Sequence, residues 1–388
     1  MPVRRFLPAR HATMALFFVA GATMATWGVH IPTIKARFAL SDAVLSLALF
    51  AIAIGAILVM GPLGRWVARR GSAPACRQAT VPFALTTALL LLTPSFWLLL
   101  PLLLAFGASM AAFDVAMNAQ AATVEARAPR PVMSSLHGMY SLGGMVGAAI
   151  GGLLLGWHVP PWLHGLGMAA IIVLTTQLAA PRLLAETSTT ATAAPPQGHH
   201  SHTTLWWLGG LAFLGMVGEG AMYDWTTVYM RDVTASAADT ASAGYAAFSG
   251  GMALGRFAGD RLRARFGAVS LLVMSAWLGF TGILLAILWP VPAAALLGFA
   301  MMGLGMANMI PVFFVAASRL QGISAAEGIA SVSRAAYVGM LLGPVMIGSV
   351  AHLTQLRLGL GVVAIAVGIV ALCGRPVLAR ATRRPAGC

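Results

Sequence analysis

Asp114 and Asn118 are four residues apart in an apolar run, and so share one face of a helix. A carboxylate at the centre of a membrane helix costs roughly 2.5 to 3.5 kcal/mol on insertion scales, so it is expected to face a polar interior and to do work there. The chemistry open to Asp114 is to bind and release a proton as its surroundings change. Its structural alternative is to accept from Asn118 or to pair with His137. Glu219 lies between Gly218 and Gly220, with Asp224 five residues on, about 140 degrees further round a helix. The two are therefore expected on different faces. Glu219 can take a proton, bind a solute or pair with Arg334; Asp224 is expected to be structural. His137 and Arg334 occupy matching places, each followed three residues later by a tyrosine, Tyr140 and Tyr337, and read as an inner gate or as helix-end anchors. Trp27, His30 and Trp225 can form an aromatic wall for stacking, although tryptophan near an interface also serves as an anchor.

The elements that must hold these residues follow from composition. Of 388 residues, 59% are apolar and 9% charged, against roughly 25% charged in soluble domains. A water-facing surface cannot be built from that mixture. With about 20 residues per span, hydropathy places twelve membrane helices. They lie near 11–34, 43–65, 78–94, 96–124, 132–155, 162–180, 205–230, 241–259, 268–289, 293–317, 329–351 and 355–373. The chain is thus expected to be an all-α integral membrane protein with a six-helix bundle over 1–181, a linker over 182–204, and a second bundle with a short tail over 205–388.

The net charge of +14 invites a nucleic-acid reading, but the distribution of charge points elsewhere. With the N-terminus inside, 18 arginines fall on inner segments and only Lys35, Arg37, Arg231 and Arg357 on outer loops, leaving Arg256 and Arg334 within spans. This is the positive-inside bias. Both termini are expected in the cytoplasm, with no nucleic-acid partner. Arg4-Arg5-Phe6-Leu7 resembles a twin-arginine signal, yet cleavage would leave an odd number of spans and reverse every later loop. Cys76, Cys373 and Cys388 all fall on the reducing side. His199, His200 and His202 lack thiolate or carboxylate neighbours, so no metal site is expected. Neither a phosphate-binding loop nor a nucleophile elbow occurs, which leaves no cofactor, no ATP-driven step and little basis for an enzyme. A receptor on the same scaffold stays open.

The two halves echo one another: Trp27 matches Trp225, and Ser134 to Tyr140 matches Ser331 to Tyr337 at a nearly constant offset. Between spans two and three, GPLGRWVARRG (Gly61 to Gly71) resembles the signature loop of the major facilitator superfamily, and GRFAGDRLRARFG (Gly255 to Gly267) is its counterpart between spans eight and nine. Arg65 stands where the family usually has an aspartate and Ala68 replaces a glycine, so Asp260 is the one acidic member of the lock. DVAMN at Asp114, LHGMYSLGG at Leu136, EGAMYDW at Glu219 and GRFAGD at Gly255 are similar to a bacterial branch near the fucose permeases.

The resemblance implies two pseudo-symmetric six-helix bundles. It also implies alternating access around a cavity lined by spans one, four, seven and ten, and proton coupling through a carboxylate on span four, here Asp114. The expected partners are a small polar or amphipathic solute, protons and the bilayer of a bacterial inner membrane, with the chain acting as a monomer. Proton coupling is expected at Asp114 and Glu219, and solute contact at Trp27, Asn118, Tyr140, Trp225 and Tyr337. Gating or salt-bridge roles fall to His137, Asp224, Arg256, Asp260 and Arg334. Glycines 143, 147, 151 and 152, with Gly339, Gly343, Pro344 and Gly348, resemble the signature of facilitator antiporters, which keeps export open beside symport; close helix packing explains the same glycines.

Overall fold

A chain with so little polar surface must satisfy its backbone within helices, and the computed structural model shows helices almost throughout. It describes residues 6–128, 132–185, 201–320 and 325–382. The core of the expected linker, with His199 and His200, lies outside the described residues, as do Arg4, Arg5, Arg130, Arg383, Arg384 and Cys388; the side chain of His202 does too.

The first six helices are α1 (Phe6–Arg37), α2 (Asp42–Arg70), α3 (Ser72–Leu90), α4 (Phe96–Glu125), α5 (Met133–Gly156) and α6 (Pro161–Ala179). Then come α7 (Ser201–Asp232), α8 (Ala238–Phe266), α9 (Ala268–Leu288), α10 (Pro292–Met306), α11 (Met309–Ala317), α12 (Ala325–Leu353), α13 (Leu356–Gly359) and α14 (Gly361–Thr382). Local signals set several ends. Ser41 and Ser95 cap α2 and α4 by accepting from Val44 and Leu98. Gly71 and Gly267 close α2 and α8 at φ +82° and +77°, a region that side chains avoid. Both glycines end the two signature loops, which is why the loops stop where they do.

Ten stretches among the described residues are long and apolar enough to cross a membrane. The other two spanning helices are α3, with Arg77 and Gln78 near its start, and α8, with Arg256, Asp260, Arg261, Arg263 and Arg265 toward its end. Span ten departs from the expected continuous helix, dividing into α10 and α11 at Ala307 and Asn308. Pro311 is the cause: it has no N–H for the Ala307 carbonyl and its ring crowds that carbonyl. Span twelve begins with the separate turn α13. The third span ends at Leu90, earlier than hydropathy suggests.

Packing repeats between the halves. In the first, α1 lies on α5 and α6, α2 on α4, and α3 on α4 and α6; in the second, α7 lies on α12 and α14, α8 on α10, and α9 on α10 and α14. The fold is therefore two pseudo-symmetric six-helix bundles. They meet where α5 lies along α8, α2 along α12 and α1 along α7. Of the hydrophobic stretches of α1 and α7, 78% and 72% are buried, against 33% for α6, so α1 and α7 form the centre. Trp97, Trp157, Trp206 and Trp289 project outward near helix ends, as the aromatic belt of a membrane protein does.

Candidate functional site

Glu219 is brought to the centre by its glycine neighbours. A Cβ at Gly220 would lie 2.5 Å from the Met340 carbonyl oxygen, and one at Gly218 would lie 3.1 Å from Met302, so small residues let α7 settle against α12 and α10. The Glu219 carboxylate then points at α8, where Oε1 accepts from Arg256 Nη2 at 3.0 Å. The other arm of Arg256 crosses to the first half: Nη1 donates to Ser141 Oγ at 2.8 Å and to the His137 carbonyl at 3.3 Å. Ser134 returns the contact, donating to the Arg256 carbonyl at 2.8 Å. One guanidinium thus joins α7, α8 and α5.

Both charges of this pair are largely buried, with side chains 15% and 9% exposed. Taking away one partner of such a pair costs about 3 to 5 kcal/mol, because the other charge is left without compensation. The partner differs from one sequence expectation: Glu219 pairs with Arg256, whereas Arg334 is exposed and makes no ion pair among the described residues. The ring of His137 stands edge-on to Phe17, with centroids 5.1 Å apart.

Asp114 sits across the bundle on α4, half-buried. Asn118 Nδ2 donates to its carboxylate at 3.1 Å and to its main-chain carbonyl at 2.9 Å. No cation is bonded to Asp114 among the described residues. Tyr140 and Tyr337, from the two halves, lie within electrostatic reach of it. Tyr140 is also within reach of Tyr223, Arg256 and Glu219, which links Asp114 to the ion pair through a tyrosine.

A third group lies between α1, α7 and α8. Tyr223 packs on Tyr245 and Phe248, with ring centroids 5.4 and 5.1 Å apart. Gly28 makes room for Tyr245, since a Cβ there would lie 2.6 Å from the ring. The Tyr245 hydroxyl, Ser249 Oγ and Trp27 Nε1 are buried without hydrogen-bond partners among the described residues. Buried polar atoms are normally satisfied, so these three mark where water or a solute belongs. Asp224, half-buried near Tyr245, makes no hydrogen bond or ion pair among the described residues.

Two expected contributors are placed elsewhere. Trp225 is fully buried, and its Nε1 donates to the Pro344 carbonyl at 3.2 Å, which makes it a packing residue between α7 and α12. Asp260 pairs with Arg263 one turn along its own helix at 3.2 Å, on an exposed face, and makes no ion pair with another helix among the described residues. Sequence reasoning missed Ser141, Tyr223, Tyr245 and Ser249. Ser141 follows His137 by one helical turn, and Tyr223 stands inside EGAMYDW, so both had a signal; Tyr245 and Ser249 had none.

At the end where α1 finishes, the halves are fastened. Lys35 pairs with Asp232 of α7 and, at 2.7 Å, with Asp42 of α2. Thr227 donates to the Gly28 carbonyl at 2.8 Å. A Cβ at Gly348 would overlap Ser46, so α12 lies flush on α2 nearby.

A family model described as Major Facilitator Superfamily matches residues 13–325. The chain belongs to that superfamily. It is a multi-pass membrane transporter. It is 34% identical over 366 residues to an uncharacterized MFS-type transporter of Yersinia pestis, covering 94% of this chain and 95% of that one. It is 32% identical over 357 residues to the membrane protein MosC of Rhizobium meliloti, covering 92% and 87%. Among solved structures, a bacterial homolog of the human lysosomal transporter Spinster, inward-facing and unoccupied, superposes with a TM-score of 0.73 at 16% identity over the whole of both chains. The transporter FucP in its outward conformation gives 0.63 at 16% identity, covering 98% of this chain and 100% of that one. At these identities the likeness is one of fold. The members of this superfamily bind small solutes within the bilayer.

Proposed function

We propose that this superfamily member is a proton-coupled secondary carrier of a small polar or amphipathic solute, working by alternating access as a symporter. The observation that carries the reading is Arg256, held by Glu219 on one side and by Ser141 and the His137 carbonyl of the opposite half on the other. A proton on Glu219 removes the negative charge that holds the guanidinium. The arginine is then free to strengthen its hold on α5 or to meet an acceptor on the solute, and the contact between halves changes strength. Asp114 offers a second proton site in the opposite half, with Asn118 able to hold either protonation state. The solute lies between them, where Trp27, Tyr245 and Ser249 offer unused polar groups and Tyr140 and Tyr337 flank Asp114.

The chain acts as a monomer in the bacterial inner membrane with both termini cytoplasmic, as the arginine distribution supports. Two units, 1–181 and 205–388, joined by the linker over 182–204, rock against each other. In this orientation the Lys35–Asp232 end faces outward, and the conformation is closed to the outside. Export by exchange is the opposing reading, suggested by the glycines and Pro344 of span eleven. Packing already accounts for them: a Cβ at Gly339 or Gly343 would lie 2.2 or 2.5 Å from the carbonyl oxygens of Phe213 or Val217.

The deciding experiment begins with a thermal-shift screen of sugars, nucleosides, amino acids and carboxylates to find a cargo. Flux of that cargo in proteoliposomes under an imposed pH gradient follows. Solute and protons moving together supports symport, opposed movement supports export, and indifference to the gradient removes both.

A further inference from the structure

Away from the carboxylates, two histidines face each other inside the first half. His30 of α1 and His164 of α6 are 1% and 9% exposed. His30 Nε2 and His164 Nδ1 are 3.0 Å apart, and His164 Nε2 is 3.3 Å from Thr26 Oγ1. Thr26 spends its single proton on the Ala22 carbonyl at 3.0 Å. Its oxygen must therefore accept from His164 Nε2, which leaves His164 Nδ1 as a lone pair. His30 must then donate through Nε2. With Thr26 bonded to Ala22 in this way the donors run in one direction, and at their head His30 Nδ1 is an acceptor, buried without a hydrogen-bond partner among the described residues.

The surroundings keep this group in place. Gly151 of α5 makes room for the imidazole, since a Cβ there would lie 3.2 Å from His164 Cε1. Gly165, next to His164, lets α6 approach α3, where its Cβ would meet the Thr87 carbonyl at 3.2 Å. On the far side, Thr26 and His164 border a cavity of about 720 Å3 between α1, α5 and α6, otherwise lined mainly by apolar side chains. Charged and titratable groups toward this end of the packed helices are Lys35 and Arg37 on α1, Asp42 on α2, His158 after α5, Asp224, Arg231 and Asp232 on α7, and Asp239 of α8 beside Gly156, while His11 of α1 lines the same cavity as His164. None of them bonds to either ring among the described residues. Neither α3 nor α6 places a charged side chain at this end.

We propose that His30 and His164 form a further proton-binding site, apart from the two carboxylates, with His30 Nδ1 as the acceptor, loaded when the Lys35–Asp232 end opens. Lys35 follows His30 by five positions on α1, so parting α1 from α7 at that end brings water to His30 Nδ1. The added proton bonds to His30 Nδ1 and its charge is shared with His164 through the existing hydrogen bond. In the closed state a charged pair has no acceptor for the new N–H, so the proton holds that end open. The inference rests on the alternating-access part of the proposed function, but uses neither Asp114 nor Glu219.

The test places spin labels on Ala36→Cys and Ala237→Cys, exposed at that end, in the full chain with Cys76, Cys373 and Cys388 replaced. Distances are recorded between pH 5 and pH 8 in an Asp114→Asn, Glu219→Gln background. Acid is expected to raise the separated population ~5-fold, within the usual range of coupling between sites. His30→Gln and His164→Gln should each abolish that rise. A rise that persists in the histidine variants, or its absence in the parent, overturns the proposal while leaving alternating access intact. Labels that never part under any condition overturn both. Should the carboxylate background fail to fold, 15N-imidazole spectra of the wild-type chain supply the answer. At neutral pH a His30 Nδ1 that carries its own proton refutes the donor order and one that accepts a hydrogen bond refutes the open position, whereas a bare Nδ1 that gains a proton in acid supports the proposal.

Discussion

Arg256 donates to Glu219 within its own half and to Ser141 in the other, so one side chain of α8 reports on the state of both bundles. Few contacts between the halves could transmit a change of charge as directly. The Lys35–Asp232 pair also joins the halves, but at the rim.

Breaking the buried pair should be costly and repairing it cheap. Glu219→Ala or Arg256→Ala is expected to lower stability by about 3 to 5 kcal/mol, and replacement of both by apolar residues of similar size by much less. Detergent unfolding of the two single variants and the double variant gives the comparison. Equal losses in all three would deny the pair its uncompensated charge.

Glu219→Gln imitates the protonated acid. It is expected to fold and to exchange solute, while losing the dependence on an imposed pH gradient. Asp114→Asn should behave alike, keeping exchange and losing uphill accumulation. The sign for the wild type follows from a proton carried inward with the solute: accumulation rises as the outside becomes more acidic than the inside, and both variants flatten that slope. Normal accumulation by Asp114→Asn would remove Asp114 from the mechanism.

The rim pair should matter to conformation more than to stability. Lys35 is 18% exposed and Asp232 42%, so this pair lies between a surface pair, worth about 0 to 1 kcal/mol, and a buried one, and Lys35→Ala is expected to lower stability by less than Glu219→Ala does. It should nevertheless raise the population open at the Lys35 end, seen as a larger separated fraction between spin labels on Ala36→Cys and Ala237→Cys. An unchanged separation would show that Thr227 and the α2–α12 contact suffice to hold it shut.

The glycines that let helices touch recur in both halves. A Cβ at Gly55 or Gly107 would lie 1.9 Å from the carbonyl oxygen of Leu104 or Ile52, and one at Gly251 or Gly303 would lie 2.2 or 2.0 Å from that of Ala300 or Phe248. Alanine at any of the four should cost about 1 to 3 kcal/mol by overpacking. Gly210, with nothing within 4 Å, should instead accept alanine with a gain approaching 1 kcal/mol from helix propensity. Thermal unfolding of the five variants checks both directions, and tolerance of alanine at Gly55 and Gly251 would refute the close approach.

Hydropathy and charge alone located the spans, because the bilayer requires long apolar helices whatever their neighbours. Even so, the break before Pro311 passed unseen beneath a continuous apolar run. Sequence also singled out Asp114, Asn118 and Glu219, since buried polar groups are rare in such a chain. Which partner each one meets was another matter. Glu219 found Arg256 and not Arg334, Trp225 went into packing, and His164 stood unmarked until α6 was laid against α1. Contacts of that kind join residues far apart in the chain, and only the depth, rotation and crossing of the helices bring such side chains within hydrogen-bond reach.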